Sequence, residues 1–250
     1  MNEDASSLGV IQAVARSDVG RVRVRNEDLT LIDPARRWAI VADGMGGYRG
    51  GDIAARIGVE VSNKELDRAY SAQWGVSEAS RALAAAVQEA NLAVYRAGDE
   101  DPELINMGST LLLVSPASGH LVSAHVGDSR LYRLRGGGLR RLTRDHTLLQ
   151  DYIDDGTLSD EEVRLSGARG VLTRALGVHE TVEPETGVHD LACGDLLLMC
   201  SDGLTDMLHE EDIAELLSGN SLDTAADALV LAANARGGRD NISVVLMRIG

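Results

Sequence analysis

The chain has 250 residues, of which 44% are hydrophobic and 25% are charged. This is an ordinary globular composition, and the length is enough for a substantial core. The 39 acidic and 24 basic residues give a formal net charge of −15. That charge is repelled by nucleic acid and by anionic membrane surfaces, so we expect neither as a general partner.

Cysteine content and the first residues indicate the compartment. Cys193 and Cys200 are the two cysteines, too few for a disulfide framework, which favours a reducing environment. The start, Met1 to Asp4, is acidic where a secretory signal would be basic. The longest apolar runs, such as Leu196 to Cys200, are too short to span a bilayer. We therefore expect a cytoplasmic protein without membrane insertion, although a tethered catalytic domain of a longer protein would show the same features. We also expect a monomer.

Eight short runs rich in apolar residues, each bounded by Gly, Asp, Pro or Ser, predict β-strands. In chain order they cover 9–16, 29–32, 38–42, 110–115, 121–126, 130–135, 195–200 and 242–249. Helical periodicity predicts helices over 53–70, 76–97 and 224–235, the last with Asp223 as its N-cap. Grouped strands with paired helices between them favour an α+β fold, with two sheets face to face and helices outside.

We find no internal repeat, low-complexity tract or linker, so we expect one domain over residues 1–250. The segment 151–170 differs from its surroundings, with many acids, few apolar residues and three glycines. It is either a surface loop with a short helix or a mobile flap beside a site, because long insertions between core elements often carry function.

Carboxylates stand at the ends of predicted strands, several of them beside glycine. They are Glu27, Asp28, Asp43, Asp128, Asp202 and Asp240. Each alone is more often a turn residue, since Asp-Gly is a common turn signal. Several carboxylates that converge need cations to be stable. Oxygen ligands without a His/Cys cluster suit Mg²⁺ or Mn²⁺, and two such ions can activate water against a phosphoryl group.

Three arginines, Arg21, Arg23 and Arg25, alternate just before Glu27. Such alternation usually marks the solvated face of a strand. If one of them lies beside the cations, however, it would make a bidentate anchor for phosphate.

Eight motifs in register over nearly the whole chain resemble the metal-dependent protein phosphatases (PPM family, protein phosphatase type 2C). The match is to the bacterial members that oppose Hanks-type Ser/Thr kinases. The motifs are SDVG at 17–20 with Arg23 and NED at 26–28, ADGMGG at 42–47, MGST at 107–110, VGDSR at 126–130, LTRDHT at 142–147, LTRALG at 172–177, CSDGL at 200–204 and RDNIS at 239–243.

The resemblance implies a four-layer αββα sandwich, with two antiparallel sheets, helices packed outside and a metal site at one end. It implies hydrolysis of phosphoserine and phosphothreonine by a hydroxide held between two Mn²⁺ or Mg²⁺ ions, without a covalent intermediate. The implied partners are phosphorylated proteins, with a Ser/Thr protein kinase and its substrates among them.

The resemblance also assigns roles to the first metal-site residues. Asp43 would bridge the two cations, and the Gly44 carbonyl would bind the second. Asp202 and Asp240 would complete the protein ligands of the first cation, and Glu27 would serve the second, directly or through water.

Further positions match in the same way. Asp28 would orient water, and Arg23 aligns with the phosphate-binding arginine of the family. Asp128, with Asp202 and Asp206, matches positions that can hold a weaker third cation. The segment 151–170 falls where bacterial members carry a flap that touches substrate.

One position departs from the pattern. Many relatives have His after the Asp-Gly as a proposed acid for the leaving alkoxide, and this chain has Met45. A thioether has no proton to give, so another group must protonate the leaving oxygen. His125 and His146 are candidates, although an isolated His is more often structural.

The sequence excludes some alternatives and leaves others open. Neither cysteine has an Arg six residues later, which excludes a cysteine-based phosphatase, and no Gly-Lys-Ser/Thr follows the glycines at 44–51, which argues against a P-loop. Two alternatives stay open. One is a non-catalytic phosphoprotein-binding pseudophosphatase, and the other is a switch phosphatase that acts on an anti-sigma-factor antagonist.

Overall fold

The computed structural model of the chain describes residues 9–33, 35, 37–46, 50–71, 74–159, 161–163 and 171–250. In chain order the described strands are β1 (Val10–Asp18), β2 (Asp28–Ile32), β3 (Ala39–Met45), β4 (Gly108–Ser109), β5 (Leu111–Ala117), β6 (His120–Val126), β7 (Arg130–Arg135), β8 (Gly138–Arg141), β9 (Glu185–Asp190), β10 (Leu196–Cys200) and β11 (Ile242–Ile249). The described helices are α1 (Gly50–Ala69), α2 (Val76–Glu100), α3 (Leu148–Asp154), α4 (Asp202–Thr205), α5 (Glu210–Leu217) and α6 (Leu222–Ala235), with a 3₁₀ turn at Pro102–Leu104.

These strands form two sheets. The first has the order β1-β11-β10-β7-β8, and the second has the order β2-β3-β5-β6-β9 with β4 paired to β3. Every described pair of strands is antiparallel. The prediction of two antiparallel sheets in an α+β fold is confirmed.

Three apolar layers hold the sandwich together. On β3, Val41 points into the layer between the sheets, whereas Ile40 points into the layer under α1 and α2. On β10, Leu197 points between the sheets, and Leu198 points into the layer under α4, α5 and α6. Because both faces of these central strands are covered, their sequences are continuous apolar runs and do not alternate with polar residues.

Strand register brings the predicted carboxylates to one end of the molecule. Asp28 at the start of β2 is paired with Asp43 near the end of β3. The end of β6, just before Asp128, lies beside the start of β5. In the other sheet, the end of β10 lies beside the start of β11, so Asp202 and Asp240 flank neighbouring strand ends.

Some local predictions were wrong or incomplete. Helix α6 begins at Leu222 because the Ser221 side chain accepts a hydrogen bond from the Thr224 amide at 3.2 Å, so Ser221 is the N-cap and Asp223 lies in the first turn. Arg21 lies in a turn and Arg25 in a bend, so the alternating arginines do not occupy a strand face. Strands β4 and β9 and helix α5 were not predicted from the sequence.

The predicted flap at 151–170 is described in part. Helix α3 covers its first residues and ends at Asp154, while residue 160 and residues 164–170 lie outside the described part of the chain. None of the described helices is both long and apolar enough to cross a membrane.

Candidate active site

The site is built on the cross-strand pair of Asp28 and Asp43, which face each other in the β2–β3 ladder. Burial, reinforced by the carboxylates of Asp28, Asp202, Asp128 and Asp240, raises the pKa of Asp43 well above its usual range. Burial likewise raises the pKa of Asp28 to about 6. The fold therefore concentrates negative charge at this end of the sandwich.

Asp28 also links the two sheets. Its Oδ2 accepts a hydrogen bond from the Ser201 hydroxyl at 2.7 Å, and the Ser243 amide donates to the same hydroxyl oxygen at 3.0 Å. Its Oδ1 is buried and has no hydrogen-bond donor among the described residues. Asp43 could supply one only if one of the two carboxyls carried a proton. A buried carboxylate oxygen in this state needs a cation, a proton or a water.

Asp43 is held by Thr110, the residue between β4 and β5. Its amide donates to Thr110 Oγ1 at 3.0 Å, its carbonyl accepts from the Thr110 amide at 2.8 Å, and Thr110 Oγ1 also contacts Ser129 Oγ at 2.7 Å. These bonds join the Asp43 strand end to the turn that carries Asp128. Thr110 is the last residue of the MGST motif at 107–110, but the sequence analysis assigned it no role.

Glu27 and Gly44 are packed tightly together. The Gly44 amide donates to the Glu27 carbonyl at 3.1 Å. A Cβ on Gly44 would lie 2.1 Å from the Gly51 carbonyl oxygen, and a Cβ on Gly51 would lie 2.8 Å from Glu27 Oε1. Burial, and then the Asp52 carboxylate, raises the pKa of Glu27. Glycine is required at both positions because the helix start approaches the strand end so closely.

Asn241 was missed as a structural residue of the site. Its Oδ1 accepts from the Glu27 amide at 2.8 Å, and its Nδ2 donates to the carbonyls of Val19 and Arg25 at 3.0 and 2.8 Å. The Asn241 side chain thus holds the loop of the three arginines next to Asp240. The sequence signal was Asn beside Asp240, but its partners lie more than 210 residues away.

The candidate phosphate anchor lies at the rim. Arg23 Nη2 donates to Asp240 Oδ2 at 2.7 Å. Arg21 and Arg25 are exposed in the same loop. The structure thus brings Arg23 into contact with one of the predicted carboxylates.

Asp128 lies in the turn after β6. Burial, followed by the negative charge of Asp145, raises its pKa to about 6, and Asp206 adds to the effect. Asp202 opens helix α4, and the Asp206 amide donates to the Asp202 carbonyl at 2.7 Å, so the two acids lie one turn apart. Asp128, Asp202 and Asp206 therefore share one side of the site.

The two candidate histidines do not serve as acids in this arrangement. His125 and His146 are buried and stacked, with ring centroids 4.6 Å apart. His146 Nδ1 accepts from the Gly127 amide at 3.2 Å, so its proton lies on Nε2, 3.3 Å from Glu185 Oε2. Burial lowers the pKa of His146 to about 4. The neutral ring holds the turn just before Asp128, which is a structural role.

A groove of about 900 Å³ opens beside Asp128, Asp202 and Asp206. One wall is helix α3, with Gln150 and Ile153, and the other is formed by residues 205–211. The groove runs from the carboxylates along the first part of the predicted flap. Its volume lies within the range of about 300–1,000 Å³ that is usual for ligand-binding clefts.

The donors present fit hard divalent cations. They are carboxylate and carbonyl oxygens, and Asp28 Oδ1 is buried without a donor in the described part of the chain. Within those same residues, however, no three His, Cys, Asp or Glu side chains are close enough to enclose a cation by themselves. Backbone carbonyls and water would have to complete each ligand shell, as is usual for Mg²⁺.

Comparison with known proteins agrees with this geometry. A family model described as "Protein phosphatase 2C" matches residues 22–233. The serine/threonine phosphatase stp of Listeria monocytogenes is 37% identical over 241 residues, which cover 95% of each chain.

Two solved structures are similar over the whole fold. The Mycobacterium tuberculosis serine/threonine phosphatase PstP/Ppp has a TM-score of 0.88 and 36% identity, with 96% of this chain and 98% of that chain covered. The catalytic domain of PstP in complex with two manganese ions has a TM-score of 0.85 and 34% identity, with coverage of 97% and 99%.

Proposed function

The chain belongs to the protein phosphatase 2C family, and from that premise we propose that its carboxylate site removes phosphate from phosphoserine and phosphothreonine in proteins. The observation that carries the proposal is the convergence of buried, mutually repelling acids with one arginine at their rim. When bound, two Mn²⁺ or Mg²⁺ ions would supply a lowered pKa for water and positive charge for the phosphoryl oxygens.

The ligand roles follow from placement. The carboxylates of Asp28, Asp202, Asp128 and Asp240 all act on Asp43. Asp43 would therefore hold both cations. Asp202 and Asp240 flank it from the other sheet and would hold the first. Glu27 and the Gly44 carbonyl lie together under the start of α1 and would hold the second.

Two residues would act on the reacting groups. Asp28 is fixed by Ser201 through one oxygen, which leaves the other to accept a hydrogen bond from the attacking water and to orient it. Arg23 presents a planar, permanently charged fork that suits two phosphate oxygens. Met45 has no proton for the leaving oxygen, so water would supply it.

The groove supports a protein substrate. It continues from Asp128, Asp202 and Asp206 between α3 and residues 205–211, so a chain that carries the phosphate could lie along it. The first part of the flap would contact that chain. The same three acids would hold a third cation, bound more weakly than the first two. The natural partners of the protein would be a Ser/Thr kinase and its substrates.

The function is tested with synthetic peptides that carry phosphoserine, phosphothreonine or phosphotyrosine, in the presence of Mn²⁺. Released inorganic phosphate is measured. We expect turnover of the first two peptides and much slower turnover of the third. Binding of the phosphoserine peptide without release of phosphate would instead favour the pseudophosphatase alternative.

Replacing Gly44 by Ala is expected to lower kcat about a hundredfold, because displacement of reacting groups by about 1 Å can have that effect. The new Cβ would lie 2.1 Å from the Gly51 carbonyl and 2.7 Å from the Glu27 carbonyl. Gly9→Ala is the matched control, since a Cβ there meets nothing within 4 Å. Steady-state kinetics with p-nitrophenyl phosphate measures both, and equal activity of the two variants would contradict the assigned role of Gly44.

A further inference from the structure

Arg23 and Asp240 form a direct ion pair inside the proposed site. Arg23 Nη2 lies 2.7 Å from Asp240 Oδ2, and the Asn241 amide donates to Asp240 Oδ1 at 3.0 Å. Both oxygens of this candidate ligand therefore already accept a hydrogen bond. A cation that binds Asp240 would share this carboxylate with the positive charge of Arg23, and the two positive charges repel each other.

The two partners differ in freedom. The Arg23 side chain is 48% exposed, whereas that of Asp240 is 14% exposed. Arg23 is therefore the partner that lies at the surface, where a ligand at the rim would meet it, while Asp240 lies deeper. Because an arginine keeps its charge, Arg23 does not leave Asp240 by losing a proton.

The backbone on both sides is locked. Asn241 bonds the carbonyls of Val19 and Arg25, and the Arg21 amide donates to the Gly238 carbonyl at 2.7 Å. A Cβ on Gly20 would lie 2.3 Å from the Asp240 carbonyl oxygen, so the two loops are in close contact. These contacts oppose withdrawal of the loop as a unit, so we expect release of Asp240 to involve the Arg23 side chain.

We propose that Arg23 and the first cation compete for Asp240, so that binding of the cation releases the phosphate anchor. This inference rests on the proposed function for the identity of the ligands. Cation and phosphate then strengthen each other's binding, because each of them weakens the ion pair between Arg23 and Asp240.

The first test is calorimetric titration of the full chain with Mn²⁺. In Arg23→Gln the competitor is absent, and we expect Mn²⁺ to bind up to about fivefold more tightly, the range measured for partly exposed ion pairs. Arg21→Gln is the matched control, since it removes the same charge from the same loop. Arg23→Lys keeps the charge and should stay near the unaltered chain.

The second test repeats the Mn²⁺ titration in the presence of inorganic phosphate. Phosphate should tighten Mn²⁺ binding to the unaltered chain and to Arg21→Gln, and should do so less in Arg23→Gln. A smaller effect is expected there because only direct contact between the ions remains.

Three outcomes would overturn the inference. The first is equal tightening of Mn²⁺ binding in Arg21→Gln and Arg23→Gln, which would indicate a general electrostatic field. The second is no tightening of Mn²⁺ binding in Arg23→Gln. The third is an unchanged effect of phosphate on Mn²⁺ binding in that variant. The proposed function fails separately, if phosphopeptides are not turned over while these differences in Mn²⁺ affinity persist. Absence of Mn²⁺ binding to the unaltered chain would overturn both.

Discussion

Asp43→Asn is expected to reduce turnover of p-nitrophenyl phosphate at least about a thousandfold, because the variant loses the charge that would hold both cations. Bound cations contribute several kcal/mol of transition-state stabilisation, and each 1.4 kcal/mol is a factor of ten in rate. The same substitution should raise the melting temperature of the protein in the presence of chelator, since it removes one of several buried like charges.

The opposite signs of the two effects separate a functional acid from a structural one. A structural aspartate would lose hydrogen bonds on substitution, and the protein would melt earlier. Here a gain of only 1 kcal/mol would raise the melting temperature by about 2–4 °C for a chain of this size. Asp99→Asn, on the exposed surface of α2, is the control and should change neither quantity. An Asp43→Asn variant that keeps a tenth of the activity, or that melts earlier in chelator, contradicts the assignment.

The architecture could be predicted from the sequence because the central strands have a recognisable apolar pattern. Runs such as 195–200 and 242–249 are apolar on both faces and bounded by turn residues, so they were recognised with errors of one or two residues. Strand β9 was not, because its only large apolar residue is Val188, which is itself half exposed. Its place in the sheet depends on pairing with β6, which no local pattern reveals.

The site was predictable to a different degree. Carboxylates at strand ends beside glycine predict a shared site, because antiparallel register brings strand ends together. Asp28 and Asp43 do face each other. The residues that hold them were not predictable. Ser201 reaches Asp28 across 173 positions and Asn241 reaches Glu27 across 214. Serine and asparagine are common in turns, so their roles appear only when the partners are known.

Removal of divalent cations is expected to abolish turnover, and Mn²⁺ or Mg²⁺ should restore it. The donors at the site are oxygens of the kind that these ions prefer, and the two candidate histidines are bonded to the backbone, His146 to the Gly127 amide and His125 to the Arg144 carbonyl. We therefore expect a loss of at least about a thousandfold on exhaustive dialysis against EDTA, with recovery on titration of Mn²⁺.

Two controls distinguish loss of cations from damage by the chelator. EDTA already saturated with Mg²⁺ should leave the activity unchanged. Thermal melting gives a readout independent of catalysis, because a ligand that binds only the folded state at a hundred times its Kd stabilises it by about 2.7 kcal/mol. Mn²⁺ should therefore raise the melting temperature of the unaltered chain and leave that of Asp43→Asn nearly unchanged. Full activity after exhaustive chelation, with no response of the melting temperature to Mn²⁺, would mean that the buried carboxylates at this end of the sandwich serve some purpose other than holding cations.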